Sequence, residues 1–393
     1  MAINIKNLEE RIQKKAHLVD SNTSVDDLTD MVEAALLLTG SLKTYADSSE
    51  LPTATGSNEK IGFIQDIKAI KFNNGKEWVT TASGETAAPS GPGVAAATHG
   101  RQGISFGYYM GGTSAASNVI EKFSFTVDGN GTDVGDLSVS RWYVSGNSST
   151  ANGYTTGGLP FSNVIDNFPF SVDTNASDVG DLTVARYGHG GASSDDHGYS
   201  HGGEQPPSGG YNVIDKYTFA SNANATDVGD ITPGHGLYVN GNNSSTDGYA
   251  VGGYQPSAPS GFKNNISKYS FTSDGNTTDA GDMLTAAQGW SSTAVSSTTH
   301  GYRHGNGTPT IYNVIEKFEF ATDGDATDVG DLTQTRYQTS GASSTTFGYA
   351  AGGVGPPSFL HDRIDKWPFA SDTNAATVGN LTVSRIFGAG AQV

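Results

Sequence analysis

The stretch that decides the fold is Gly198-Tyr-Ser-His-Gly-Gly203, followed by Asn212-Val-Ile-Asp-Lys-Tyr217 and then by Asp227-Val-Gly-Asp230. These three motifs recur together six times, and successive Gly-Tyr steps lie 45 to 53 residues apart. The other five copies of the first motif begin at Gly107, Gly153, Gly248, Gly301 and Gly348. A unit of about 50 residues with short strands and no helical periodicity is typical of one blade of a β-propeller.

The second and third motifs keep their order in every unit. The second motif alternates apolar and polar residues, as a half-buried strand does. The third is generally followed by Leu-Thr-x-x-Arg, and we place the fourth strand of each blade around Asp-Leu-Thr-Val. The remaining copies are Asn118–Phe123, Asn163–Phe168, Asn264–Tyr269, Asn313–Phe318 and Asp362–Trp367 for the second motif, and Asp133–Asp136, Asp178–Asp181, Asp279–Asp282, Asp328–Asp331 and Thr377–Asn380 for the third.

The two ends of the repeat region complement each other. Residues Arg385 to Val393 repeat only the first strand of a unit, whereas the first unit begins at its second strand with Ile104. A ring of blades must not leave an open sheet edge. The sequence therefore predicts an all-β fold, a six-bladed propeller over residues 104–393 with a velcro closure, in which the C-terminal segment completes the first blade.

Composition excludes several classes of protein. Glycine occupies 52 of 393 positions, and the formal charge at pH 7 is −18, from 22 basic and 40 acidic residues. Such a charge repels nucleic-acid backbones and anionic membranes, so we expect no nucleic-acid partner. The absence of cysteine excludes disulfides and thiolate chemistry. No stretch of about 18 apolar residues and no secretory signal is present, and we expect no membrane insertion.

The first hundred residues differ from the repeats. We predict a helical anchor over residues 1–45, a small β-hairpin module over 46–81 around the turn Asn74-Gly75, and a linker over 82–103. The two short helices have little to bury against within one chain, so their apolar residues are expected to contact other subunits. The predicted assembly contacts are Ile5, Leu8, Ile12, Leu28, Met31, Val32 and Leu38.

The repeat resembles the kelch repeat over about residues 104–393. The shared features are the Gly-Gly step, the aromatic residue that ends the third strand, and the arginines Arg141, Arg186, Arg336 and Arg385. The usual Trp before the fourth strand is replaced by Val-Gly-Asp, so the match is kelch-like. The sequence Thr-Asp-Val-Gly-Asp-Leu-Thr-Val is similar to sequences of propeller proteins from tailed bacteriophage virions, especially those of phages with marine and cyanobacterial hosts.

Catalysis has little support in these residues. Galactose oxidase, a kelch-like propeller, needs a Tyr cross-linked to a Cys, and this chain has no Cys. Sialidases need repeated Asp boxes, of which Ser194-Asp-Asp-His-Gly198 is a single partial match. No acid pair stands out from the repeated acids. We expect no enzyme activity and no cofactor.

Two patterns could bind metals. His197 and His201 flank Tyr199 on one strand face, and His300 and His304 flank Tyr302 in the same way, which is a spacing that can ligate a transition metal. The Asp-rich turns resemble calcium loops but lack a closing bidentate Glu and a constant ligand set. Asx turns explain those loops more simply. We favour structural roles for both patterns. The repeated lysines and acids of the second motif are expected to be solvated or paired across strands.

The function expected from this organisation is that of a non-enzymatic virion structural protein of the tail, neck, baseplate or fibre. Its N-terminus would dock on other virion proteins in a multi-copy assembly, and the propeller would project outward. The alternative is a lectin-like protein whose variable loops bind a host receptor or glycan. The candidate receptor-binding residues on those loops are Tyr211, Tyr254, Phe262 and Phe359.

Overall fold

The computed structural model describes residues 44–45, 61–64, 69–73, 78–80 and 102–393, apart from 113–116, 206–208, 233–235, 256–260, 287–294, 308–309 and 357–358. The chain divides into two compact units, Met1–Ala96 and Ala97–Val393. The described residues form strands and turns and no helix. In particular, this part of the chain holds no helix with the length and apolar character needed to cross a membrane.

The first unit contains a four-stranded sheet in the order β1-β2-β3-β4. β1 runs parallel to β2, and the remaining neighbours are antiparallel. β3 and β4 flank the predicted turn at Asn74-Gly75, which lies outside the described residues, as do the seven predicted assembly contacts. The four strands are Thr44–Tyr45, Ile61–Ile64, Ala69–Asn73 and Trp78–Thr80. β1 thus occupies the last two positions of the predicted helical anchor.

The second unit is a β-propeller of six blades, as the repeat predicted, and each blade is an antiparallel sheet of four strands named A to D from the axis outward. Blade 1 contains β32 (Ala389–Gln392), β5 (Phe106–Met110), β6 (Val119–Ser124) and β7 (Thr132–Asp136). Blade 2 contains β8 (Ser145–Ser148), β9 (Asn152–Thr156), β10 (Val164–Pro169) and β11 (Ser177–Asp181). Blade 3 contains β12 (Gly190–Ser193), β13 (His197–His201), β16 (Val213–Thr218) and β17 (Thr226–Asp230).

The other three blades have the same plan. Blade 4 contains β18 (Asn240–Asn243), β19 (Asp247–Val251), β22 (Asn265–Ser270) and β23 (Thr278–Asp282). Blade 5 contains β24 (Val295–Ser296), β25 (His300–Asn306), β26 (Tyr312–Glu319) and β27 (Thr327–Asp331). Blade 6 contains β28 (Ser340–Ser343), β29 (Phe347–Ala351), β30 (Arg363–Pro368) and β31 (Ala376–Asn380). Two short hairpins extend the B–C connections of blades 3 and 4: β14 (Glu204–Gln205) with β15 (Gly209–Gly210), and β20 (Tyr254–Gln255) with β21 (Gly261–Phe262).

The D strands lie earlier in the sequence than predicted. In blade 2, for example, the D strand covers Ser177–Asp181 and ends before Leu182, which is buried in the core. The segment Asp-Leu-Thr-Val is therefore the end of the strand and the start of the connection to the next blade.

Each Gly-Tyr step joins two neighbouring blades. The glycine leaves room for the aromatic ring of the C strand in its own blade, since a Cβ at Gly153 would overlap the ring of Phe168. The tyrosine packs on two aromatic rings of the next blade, as Tyr154 does on Tyr217 and Phe219, with ring centroids 5.7 and 4.7 Å apart. Aromatic pairs of this kind each stabilise by about 0.5–1.5 kcal/mol beyond their buried area. The same contact joins Tyr108 to Phe168, Tyr199 to Tyr269, Tyr249 to Phe318, Tyr302 to Trp367 and Tyr349 to Phe123.

The repeated arginine forms a buried ion pair with the acid of the second motif. Arg141 leads into blade 2, and its Nη2 donates to Asp166 Oδ2 at 2.8 Å, both side chains being fully buried. Ser138 also donates its backbone N–H and its hydroxyl to Asp166. Burial lowers the pKa of the Arg141 guanidinium, and the charge of Asp166 opposes that shift. Equivalent pairs are Arg186–Asp215, Arg336–Asp365 and Arg385–Glu121, and Arg303 of strand B pairs with Glu316 in blade 5.

The repeated lysine bridges to the next blade, so it does not pair with the acid beside it in the sequence. Lys122, for example, donates to Asp173 in the C–D turn of blade 2 at 2.6 Å. Blade 2 carries Asn167 at the lysine position, and blade 3 carries Asn222 at the position of its partner. The two residues of this pair are thus replaced together. The remaining bridges are Lys216–Asp274, Lys268–Asp323, Lys317–Asp372 and Lys366–Asp128.

Glycines let the inner strands approach to backbone contact around the axis. A Cβ at Gly146 would overlap the carbonyl oxygen of Gly390 in blade 1, and one at Gly390 would overlap that of Gly341 in blade 6. Gly241 and Gly191 are related in the same way. Because a methyl group here would meet backbone and not the end of a mobile side chain, the neighbouring strands would have to move apart.

A closed set of hydrogen bonds lies near the ends of the inner strands. At equivalent positions of the six A strands, a backbone N–H donates to a side-chain oxygen of the adjacent blade at 3.0–3.4 Å. The order of donors and acceptors returns to its start after six steps. It runs from Ser148 to Ser193, Asn243, Ser296, Ser343 and Gln392, and Gln392 donates to Ser148.

We expect Gly390→Ala to destabilise the propeller by about 1–3 kcal/mol, the usual cost of inserting a methyl group into a close-packed site. Gly129→Ala is the matched control, because nothing lies within 4 Å of a Cβ at that position. Thermal unfolding should show a lower midpoint for Gly390→Ala alone. Equal midpoints for the two variants would contradict the close approach of the inner strands.

Candidate functional site

One end of the propeller gathers all the variable connections. Because the four strands of a blade alternate in direction, strand B leads into C, and D leads into the next blade, at the same end. We call this end the upper face. Backbone bridges join the two kinds of connection there, as between Trp142 and Leu159 or between Tyr187 and Glu204. The residue that follows the repeated arginine is therefore held against the B–C loop of its own blade.

The next residue in each D–A connection has a left-handed backbone conformation in five blades. Four of these residues carry side chains, which is unusual because a positive φ costs of order 1–2 kcal/mol for a residue other than glycine. The fifth is Gly188, on which the ring of Tyr238 lies so closely that a Cβ would overlap it. The five φ values are 54° at Tyr143, 63° at Gly188, 53° at Tyr238, 58° at Gln338 and 60° at Phe387.

This conformation brings aromatic rings of separate blades together. The Tyr143 ring, from the connection into blade 2, has its centroid 3.7 Å from that of Phe387 and 5.9 Å from that of Tyr238. Blades 2 and 4 are not neighbours, so these rings meet over the central axis. Tyr187 lies 5.5 Å from Tyr143, and Phe161 lies 5.8 Å from Tyr187. We call these five residues the aromatic cluster.

A carboxylate holds two of the phenols. Glu204 Oε2 accepts hydrogen bonds from the Tyr187 hydroxyl at 2.5 Å and from the Tyr238 hydroxyl at 3.2 Å. Burial is the main cause that raises the pKa of Tyr187, and the hydrogen bond to Glu204 raises it further. Burial likewise raises the pKa of Tyr143 and of Tyr238. The three phenols are therefore neutral hydrogen-bonding groups across the physiological range of pH.

The connections of the upper face carry few charges for so acidic a protein, and the aspartates that end five D strands lie at the rim of this face. Of the 40 acidic residues, only Glu204 and Asp362 belong to the connections of this face, and Lys263 is the one lysine there. The arginines of these connections are buried in the ion pairs described above. Gly, Ser, Thr, Asn and Pro make up most of the sequence of the B–C connections of this face. Together with the aromatic rings, such residues suit stacking and hydrogen bonding, and they contribute little long-range electrostatic attraction.

The predicted receptor-binding residues lie on this face but outside the aromatic cluster. Tyr254 and Phe262 pair across β20 and β21 with ring centroids 5.4 Å apart, and both are half-buried. Tyr211 is half-buried and donates its N–H to the Gly203 carbonyl. Phe359 is 79% exposed. The cluster itself was missed, although its signal is present in the sequence, since aromatic residues repeatedly follow the repeated arginine by one or two positions.

One histidine of each predicted pair, His201 or His304, contacts the next blade. His201 is buried, and its Nδ1 lies 3.1 Å from the Tyr269 hydroxyl of the next blade. His304 is buried against Trp367, with its Nδ1 3.2 Å from Thr339 Oγ1. Desolvation is the main cause that lowers the pKa of His304 to about 3, so this imidazole is neutral at pH 7. Among the residues that the structure describes, no group of three or more His, Asp or Glu is arranged to hold a metal ion.

The Asp-rich turns use their oxygens within the fold. Asp133 Oδ1 accepts the N–H of Gly135 at 3.2 Å, which is an Asx turn, and Asp178, Asp227, Asp279 and Asp328 do the same. The first Asp of five of these turns accepts the lysine of the preceding blade. These geometries favour the structural interpretation of the turns.

The central channel is a second candidate site of small size. It encloses about 330 Å³ of space, which includes open solvent, and all six inner strands line it. The described lining consists of five glycines and seven Asn, Ser or Gln residues. These groups offer neutral donors and acceptors, most of which already belong to the closed set of hydrogen bonds. The upper face is therefore the stronger candidate.

A scan against models of protein families finds no match for this chain. A search of curated proteins likewise finds no similar protein.

We expect the Asp-rich turns not to bind calcium specifically. If they did, Ca²⁺ at 100 times Kd would stabilise the folded state by about 2.7 kcal/mol for each occupied site. Screening of the −18 charge would instead give the same melting temperature in Ca²⁺ and in NaCl of equal ionic strength. Thermal unfolding in both salts checks this. A rise that only Ca²⁺ produces and that EDTA reverses would contradict the Asx-turn interpretation.

Proposed function

We propose that this protein is a non-enzymatic structural and display component of a phage virion, which attaches through its N-terminal unit and presents the propeller outward. The observation that carries the proposal is the complete set of contacts between successive blades. Aromatic packing joins every pair of neighbours, and the hydrogen bonds of the inner strands run through all six blades. A ring in which every blade contacts both of its neighbours is a rigid platform.

The use of charged groups supports the same role. Buried arginines pair with acids in five of the six blades, and lysines bridge five of the six pairs of neighbouring blades. Such residues stabilise the ring in a repeated manner and are not concentrated at one place. The division of the chain into Met1–Ala96 and Ala97–Val393 supports a separation between attachment and display.

Removal of residues 1 to 90 should give a soluble, folded propeller that no longer enters virions of the source phage, because we assign attachment to the N-terminal unit. Circular dichroism would monitor the fold, and immunoblotting of purified particles would measure incorporation of the truncated chain. The full-length chain is the control. Incorporation of the truncated chain at the level of the full-length chain would overturn this assignment.

We further propose that β32 acts as a velcro closure of the ring. β32 pairs with β5 in the register Ala389↔Met110 and Gln392↔Gly107, so the first blade uses the two ends of the propeller segment. Val393 extends this contact, since its carbonyl accepts the N–H groups of Ile104, Ser105 and Phe106 at 2.7–3.0 Å. The arginine before β32 supplies the buried partner of Glu121.

Removal of residues 385 to 393 should therefore unfold or aggregate the propeller. The change exposes the edge of β5 and leaves Glu121 buried without its arginine, and breaking a buried ion pair costs about 3–5 kcal/mol by itself. Removal of residues 1 to 9 is a control of equal length. Thermal unfolding and gel filtration would report the outcome. An unchanged melting temperature and monomeric elution after removal of residues 385 to 393 would refute the closure.

A second candidate function is lectin-like binding of a host receptor or glycan at the upper face. The specific observation that favours it is the gathering of aromatic rings and neutral hydroxyl groups on an end of the propeller that has few charges. Display and binding are compatible, because a rigid propeller fixes the distances between the groups that a ligand would contact.

A further inference from the structure

We propose that the aromatic cluster and Glu204 form a binding site for an uncharged sugar ring of a glycan. This inference rests on the second candidate function, and it assigns the site to the aromatic cluster and Glu204 instead of to the four loop residues named from the sequence. The ligand class follows from three properties of the site: an exposed aromatic ring, a fixed carboxylate and the absence of excess charge.

The exposed ring is Phe161. Its side chain is 53% exposed, although it lies only 5.8 Å from the half-buried ring of Tyr187 at an interplanar angle of 63°. An exposed ring beside a half-buried one forms a step on the surface. The apolar C–H face of a pyranose can pack on such a step, and its removal from water is favourable.

The carboxylate is positioned before any ligand arrives. Tyr187 and Tyr238 both donate to Oε2 of Glu204, so that oxygen is occupied and the side chain has little rotational freedom. Oε1 accepts no hydrogen bond within the part of the chain that the structure describes. A preorganised acceptor beside aromatic rings matches a ligand that offers adjacent hydroxyl donors, because ordering the side chain costs no further entropy.

The charge of the surroundings disfavours an anionic ligand. An anionic sugar such as a sialic acid or a sugar phosphate would meet Glu204 and the overall charge of −18, and the arginines of this face are buried in ion pairs. A neutral sugar is repelled neither by Glu204 nor by the overall charge. The central channel is narrow and lined by glycines and by Asn, Ser and Gln residues, so the ligand lies on the surface and the affinity for one sugar is expected to be low. Several copies in one assembly would raise the apparent affinity.

The experiment uses the full-length chain and saturation-transfer NMR, followed by titration calorimetry. The probes are neutral oligosaccharides of glucose, galactose, mannose and N-acetylglucosamine, with sialyllactose and mannose 6-phosphate as anionic probes and a glucosamine oligomer as the cationic probe. The test variants are Phe161→Ala and Glu204→Gln. Phe359→Ala is the matched control, because Phe359 is an exposed ring of the same face outside the cluster. Thermal unfolding would verify that each variant is folded.

We expect binding of at least one neutral oligosaccharide, a loss of affinity of tenfold or more in Phe161→Ala and in Glu204→Gln, and no change in Phe359→Ala. Loss of binding in Phe359→Ala alone would place the site on the loops, which overturns this inference and leaves lectin function standing. Binding of only an anionic or only the cationic probe would overturn the ligand class. No binding by any probe would overturn both the inference and the second candidate function.

Discussion

The backbone contact between inner strands of neighbouring blades is the constraint on which the rest of this propeller depends. Glycines such as Gly146 and Gly390 bring the carbonyl of one strand against the α-carbon of the next, which leaves no room for a side chain. That approach sets the diameter of the channel and brings the strand ends close enough for a closed set of hydrogen bonds. It also fixes where the connections emerge, and hence where the aromatic cluster lies.

The blade count and the all-β architecture could be predicted from the sequence because each depends on a local pattern repeated six times. The partners of the repeated charges could not, because the lysines pair with aspartates of the next blade and the arginines pair with acids that are distant in the sequence. The sequence does contain a signal for them. Asn167 and Asn222 replace a lysine and its aspartate together. In blade 4, likewise, Ser267 takes the place of the acid and Gly236 takes the place of its arginine. When two positions depart from the repeat together, a comparison of the repeat units of one chain identifies the contact between those positions.

The candidate site could also be predicted only in part from the sequence. Variable loops with exposed aromatic residues could be identified from the sequence, and Phe359 is indeed strongly exposed. The cluster over the axis could not, because it depends on residues such as Tyr143 adopting a positive φ that sequence patterns do not favour. A strained conformation repeated at equivalent positions, four times with a side chain, indicates that the surrounding structure imposes it. Strain of this kind is common where a surface is shaped for binding.

The start of the propeller segment is held by strands from two blades at once. Gly103 donates its N–H to Ser343 of blade 6, the side chain of Gln102 donates to the Ser344 carbonyl, and Ile104 donates to Val393 beside blade 1. A pulling force that enters the propeller at this point would load several hydrogen bonds in parallel and in shear. Such bonds resist force better than bonds that open one after another. The place where tension would enter is thus reinforced, so the ring would bear tension as a unit and not peel apart blade by blade.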